Sequence, residues 1–124
     1  MEAKERNILY YQTTSRSLPF REWRSSLTDE DTKAAIDARV ARMRGGYFAN
    51  SEPVGEGVSE NKIDFGPGFR IYYGTDGESI VLLGGGDKST QKADIRDTKA
   101  HWKDYKRRKR VQMAPVGKGA RDKK

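Results

Sequence analysis

Cysteine is absent from this chain and histidine occurs once. Without cysteine there are no disulfide staples and no thiol nucleophile, which agrees with a reducing compartment such as the cytoplasm. With His101 as the one imidazole, the two-histidine acid–base pair of a classical ribonuclease cannot be assembled within one chain. HExxH, CxxC and carboxylates clustered at metal-ligand spacing are missing too, so the sequence implies no metal and no other cofactor. No apolar run approaches the roughly 18 residues that cross a bilayer. The opening residues Met1 to Asn7 lack the apolar segment of a secretory signal, so the expectation is a cytoplasmic protein with no membrane partner.

Apolar residues make up 34% of the 124 and charged residues 35%, a polar balance that supports one domain with a modest core. The net charge of +7 is unevenly spread. Residues 106–124 hold nine bases against one acid, which leaves sixteen bases against seventeen acids in residues 1–105. The expectation is a single domain over 1–105 and a basic, disordered tail over 106–124, because its Gly, Pro and Lys content offers little to pack. Any anion-binding site on the domain then has to come from local arrangement of charge.

Taken in order, Ile8 to Gln12 reads as a first strand. Pro19 suits the first turn of a helix whose inward face is Phe20, Trp23 and Leu27. Thr28 is the expected N-cap of a second helix with Ile36, Val40 and Met43 buried, stopped by Gly45 and Gly46. The bases of that helix read as a solvated face with partners such as Asp37. Asn50 to Gly57 reads as a loop. Val58 to Phe65 alternates as a strand and turns through Gly66 to Gly68 into a second strand, Phe69 to Tyr73. A hairpin turn over Gly74 to Gly77 leads to Ser79–Leu83, because Asp-Gly tolerates positive φ. The glycines 84–86 are expected to end that strand sharply, since no Walker-type Lys-Ser/Thr spacing follows. A third helix, from about Thr90 towards Arg108, presents Ile95, Trp102 and Tyr105 as its apolar stripe. His101 beside Trp102 reads as a packing or surface residue. The fold class is α+β: a small, twisted, mostly antiparallel sheet of about four strands with an N-terminal helical hairpin and a C-terminal helix.

The stretch Asp64 to Gln91 organises the rest. Its two motifs, GPGFRIYYG followed by VLLGGGDKSTQKADI, resemble the RelE/ParE toxin superfamily, in particular the HigB-like addiction module killer proteins, over roughly Ile8 to Tyr105. The resemblance implies a RelE/ParE-like fold and the toxin of a type II toxin–antitoxin module. It also implies metal-independent mRNA cleavage, commonly on the ribosome, and a cognate protein antitoxin that forms a hetero-oligomer with the toxin. The ParE branch implies an alternative, a non-nuclease that binds DNA gyrase. A third alternative, a nucleic-acid-binding accessory protein, rests on the basic tail.

Within the stretch, alternation places Arg70 and Tyr72 on one strand face, and antiparallel pairing would set Lys62 and Glu60 beside them. Cleavage through the substrate's own 2′-hydroxyl needs in-line geometry and a cation for charge developing at phosphorus. Arg70, with its planar fork on a rigid strand, is the candidate catalytic residue, and Lys62 assists by moving a proton or clamping phosphate. The bland alternative for Arg70 is a cross-strand salt bridge to Glu60 or Asp64. Tyr72 is a candidate to stack on a splayed base. Lys88, ahead of a helix N-terminus, and Lys92 are candidate RNA phosphate contacts, the alternative being solvated lysines. Gln91 either bonds the substrate or caps its own helix.

Overall fold

Two neighbouring strands in the middle of the chain are buried on both faces, and the rest of the molecule covers them. The computed structural model describes residues 4–113. Strands β4 (Phe69–Asp76) and β5 (Ser79–Gly86) lie at the centre of a five-stranded sheet, flanked by β3 (Val58–Ile63) and β2 (Ser51–Gly55) on one side and β1 (Asn7–Tyr10) on the other. The order is β1-β5-β4-β3-β2, with β1 parallel to β5 and the other pairings antiparallel. Helices α1 (Pro19–Ser26) and α2 (Glu30–Arg44) cover one face, where Phe20, Ile36, Val40 and Met43 pack on Ile63, Ile71, Ile80 and Leu82. Helix α3 (Gln91–Met113) covers the other, where Trp102 packs with Tyr72, Val81 and Leu83. The molecule is therefore α+β with a mixed sheet. None of its described helices is long and apolar enough to cross a membrane.

Five strands replace the expected four because residues 50–57 are not a loop. Ser51–Gly55 pairs with β3 as an edge strand, interrupted by a register shift between Pro53 and Gly55. Proline is tolerated at an edge because the missing N–H would have faced solvent. The turn that follows is built on Glu56 and Gly57, both at positive φ, the geometry that suits the twist of a tight hairpin. The β4–β5 turn likewise sits later than expected, at Gly77-Glu78 with Gly77 at φ +60°. Gly74 belongs to the strand, and α2 is capped by Asp29, whose carboxylate accepts from Thr32 N at 2.9 Å, rather than by Thr28. Asp37 pairs with Arg24 of α1, through bonds of 2.7 and 2.6 Å, and so joins the two helices.

The glycines 84–86 do not stop the strand at Leu83; they are paired residues that carry β5 on to Gly86. Each lets another element approach the sheet. A Cβ on Gly85 would lie 2.2 Å from the Trp23 ring, and one on Gly86 would lie 1.8 Å from an Asp94 oxygen. A bulge opposite Tyr72 and Tyr73 resets the alternation, so that Gly84 and Gly86 lie beneath α3 while Gly85 lies beneath α1.

The basic run after Tyr105 does not begin a tail. Helix α3 continues through it to Met113, and Lys109 and Tyr105 both bond the Asp76 carboxylate, the latter at 2.8 Å. Arg108 bonds Asp104 at 2.9 Å and reaches the carbonyl of Gln12. The remainder of the expected tail, 114–124, lies outside the described residues. Lys109 first, then the Tyr105 hydroxyl, hold the Asp76 carboxyl below its usual range. A depressed carboxyl contributes stability that is present above its unfolded value and lost as pH falls through the folded one. Asp76→Asn should therefore cost about 1 kcal/mol at neutral pH, discounted for partial exposure. The gap to wild type should close as pH falls from about 4 towards 2. Urea unfolding of both proteins across that range measures it; a gap independent of pH would show that the carboxylate charge contributes nothing.

Candidate functional site

The register of the central strands builds the site. Lys62 of β3 pairs with Arg70 of β4, which pairs in turn with Gly86 of β5. One pleat further on, Glu60, Tyr72 and Gly84 form a second row. Directly paired residues share a face, and this is the face that α3 covers. Only residues without side chains, Gly84 and Gly86, leave room for the first turns of α3 and for Asp94 and Thr98.

Arg70 consequently lies under cover, 5% exposed, and not on an open polar face as its alternation implied. Its Nη1 donates to the Gly68 carbonyl at 2.7 Å. Gly68 adopts φ +82°, so the carbonyl-bearing turn cups the guanidinium where a side chain would be strained. The Arg70 Nε is buried without a hydrogen bond and lies 3.6 Å from Glu60 Oε2. That same oxygen accepts from Gln91 Nε2 at 2.7 Å and from the Tyr72 hydroxyl at 3.1 Å. Glu60 thus gathers three of the expected site residues around one carboxylate. The bland expectation for Arg70, an ion pair with Glu60, is realised in this geometry; among the described residues Asp64 makes no such pair.

Tyr72 has no exposed surface and presents no ring face to a base, so the stacking role is excluded in this arrangement. Burial first, and Glu60 second, push its phenol pKa up, which keeps it a hydrogen-bond donor at physiological pH. Gln91 neither caps its helix nor faces outward; it holds Glu60. Lys62 is exposed, as are Lys88 and Lys92 around the start of α3. Between Gly86 and the helix, Lys88–Thr90 forms a single 3-10 turn capped by Asp87, which accepts from Ser89 N at 2.8 Å. The Ser89 hydroxyl chiefly, with Arg70 contributing, holds the Asp87 carboxyl low. His101 stacks on Tyr11 with ring centroids 4.8 Å apart, and burial lowers its pKa, so it is a neutral packing residue.

No family model matches the sequence, and no solved structure matches the chain. A protein of Haemophilus influenzae, described as uncharacterized, is 42% identical over 84 residues, an overlap that spans 67% of this chain and 85% of the relative. The chain belongs to that protein's family. In this family member, the site can supply cations and a positioned carboxylate, but no grouping of three metal-ligating side chains occurs among the described residues.

Two features of this family member escaped the sequence reading. Asn61 is fully buried and ties three elements together: its amide donates to Ala49 O at 3.1 Å and Ser51 Oγ at 2.7 Å, while Arg39 of α2 donates to its Oδ1 at 2.6 Å. Arg39 is therefore a structural residue beneath Lys62, whose carbonyl it also bonds at 2.6 Å. An asparagine in an alternating strand carries no signal of this role. The second feature is the outer face of α3, where bases recur at helical spacing from Lys92 to Arg110.

Proposed function

We propose that the chain is a HigB-like toxin of the RelE/ParE type, the nuclease half of a type II toxin–antitoxin module. On this reading it cleaves mRNA in the cytoplasm, on the ribosome, and a cognate protein antitoxin neutralises it. The observation that carries the reading is the Lys62–Arg70 cross-strand pair, adjoining the turn that starts α3. A sheet held between two N-terminal helices and a C-terminal one also supports a RelE/ParE-like fold.

The chemistry requires no group beyond the substrate and these side chains. The 2′-oxygen attacks phosphorus in line, the bond to the 5′-oxygen breaks, and a 2′,3′-cyclic phosphate forms. The proton lost from the 2′-hydroxyl balances the one gained by the departing 5′-oxygen. Arg70 stabilises the charge on the equatorial oxygens, held for that purpose by Glu60 and the Gly68 carbonyl. Lys62 is the second cation or carries the proton, and Lys88 and Lys92 hold flanking phosphates. Glu60 is a positioning residue. Glu60→Gln, which keeps the size but not the charge, should lower kcat more than it raises KM.

End-group analysis of a defined mRNA, with and without ribosomes and in EDTA, tests the proposal. Cleavage should persist and leave a 2′,3′-cyclic phosphate or 3′-phosphate, and a 2′-deoxy sugar 5′ of the scissile bond should block it. Strict magnesium dependence would overturn it. The burial of Arg70 against Glu60 favours a second reading, in which the pair is structural and the protein is a ParE-like gyrase binder. Inhibition of gyrase supercoiling by an Arg70→Lys, Lys62→Ala variant as strong as that by wild type would establish it.

A further inference from the structure

The exposed side of α3 carries Lys92, Arg96, Lys99, Lys103, Arg107 and Arg110, at successive spacings of four, three, four, four and three residues. At 100° per residue these fall within one narrow arc, and at 1.5 Å per residue the row runs about 27 Å. Of the acids of the helix, Asp94 is turned towards Gly86 of the sheet and Asp104 is half-buried, while Asp97 is exposed on the flank of the arc beside Arg96. Some bases have nearby acids: Lys99 is 3.8 Å from Glu56, Arg96 is 3.1 Å from Asp97, and Arg107 is 2.7 Å from Asp104. Lys92, Lys103 and Arg110 have no acid within ion-pair distance among the described residues.

An isolated charge run is usually a solvated face, but this row differs from one. Bases spaced along a rigid rod repel one another, and a helix solvated for its own sake alternates signs at i,i+4. Here i,i+4 and i,i+3 neighbours share one sign for the length of the stripe. No aromatic side chain accompanies them; Trp102 and Tyr105 are turned inward to the sheet. Single-stranded RNA is held by stacking on aromatic platforms, whereas duplex RNA is held through its phosphates and shape.

We infer that the outer face of α3 is a docking track for the phosphate backbone of double-helical RNA, beginning at Lys92 beside the proposed site and running from there away from the Arg70 cluster. The choice of RNA over DNA rests on the proposed nuclease reading; the duplex preference rests on the helix itself. The track would hold a folded RNA while a single strand is presented to the site at the helix's beginning.

The test is a salt titration of affinity, by fluorescence anisotropy, for a blunt RNA duplex of about 20 base pairs, long enough to span the track. Arg96→Gln, Lys103→Gln and Arg110→Gln together should weaken binding about 10- to 100-fold near 0.1 M salt and reduce the log–log salt slope by about 2 to 3. Their melting temperature and their cleavage of a short single strand should match wild type. A control with the same charge loss, Arg21→Gln, Arg42→Gln and Arg44→Gln on the opposite layer, should keep affinity within about twofold. Equal losses in the two triple variants would overturn the track in favour of bulk charge. Tighter binding of the matching DNA duplex, of the single strand or of polyglutamate would also overturn it. Because the readout is binding, a protein that cleaves nothing but shows the expected loss would remove the nuclease reading and leave the track standing.

Discussion

Arg70→Ala is expected, on the proposed nuclease reading, to reduce mRNA cleavage by about 10²–10³, the scale of removing one donor to a developing oxyanion. The side chain is buried against Glu60, so truncation also strands a carboxylate, at a cost of up to about 3 kcal/mol. Gln91 and Tyr72 still bond that carboxylate, which limits the loss. Rate and stability must therefore be separated. Arg70→Lys keeps a positive charge opposite Glu60 and should stay folded while recovering only part of the rate, because an ammonium cannot present two parallel donors to phosphate. Arg70→Ala combined with Glu60→Ala should regain stability but not activity. Rates measured on fully folded protein, as judged by circular dichroism, decide the matter. A folded Arg70→Ala enzyme at full rate would sink the mechanism and leave Arg70 as half of a structural ion pair.

The second large effect lies at Trp102. Its indole is 5% exposed and lies parallel to Tyr105, with centroids 5.2 Å apart and planes 6° apart. Trp102→Ala should cost about 3–5 kcal/mol, enough to unfold a small domain. The indole also fits against two backbones made smooth for it. A Cβ on Gly57 would lie 2.5 Å from Trp102 Nε1, and one on Gly74 would lie 2.6 Å from the ring carbons. Both distances are impossible without movement of a buried ring. Gly74→Ala should cost about 1–3 kcal/mol through overpacking. In a Trp102→Ala background the added methyl enters vacated space, so the two changes should be non-additive by about 1 kcal/mol or more. Chemical denaturation of the four proteins of the cycle measures this coupling, with a suppressor or stabilising background if Trp102→Ala does not fold. Simple additivity would show that the ring is not what requires glycine at position 74.

Much of this was legible in the residues because the relevant signals were local. Alternation in residues 58–65 and 69–73 puts Lys62 and Arg70 on one face, though their direct pairing comes from the strand register, and helical spacing yields the inward faces at Phe20, Trp23 and Trp102. What stayed hidden depended on partners far away in the chain. Glycines 84–86 read as a stop because their role is set by Trp23 and Asp94, which fill the space a side chain would take. Arg70 read as solvent-facing because alternation separates two faces without saying that a helix covers the second. Edge strand β2, with its Pro53 and Gly55, has the composition of a loop and is a strand through its pairing to β3. The row of bases on α3 was present at readable spacing, but tallying charge by segment hides an arrangement that crosses the segment boundary at residue 106.

The parallel pairing of β1 with β5 bears on the order in which a newly made chain can fold. Asn7 finds its partner at Ser79, and Tyr10 at Leu82, so the earliest strand waits for the last one. Synthesis runs from the N-terminus, and contacts of such separation are slow to close because the intervening chain must first be ordered. The hairpins β2–β3 and β3–β4 can zip as they emerge, but Arg70 then stands uncovered until Gln91 and the helix it begins have been made. The Arg70–Glu60 cluster is thus assembled only after residue 91 and the helix it begins have been made, and a chain released before residue 91 carries the strands of the site without the helix that encloses it.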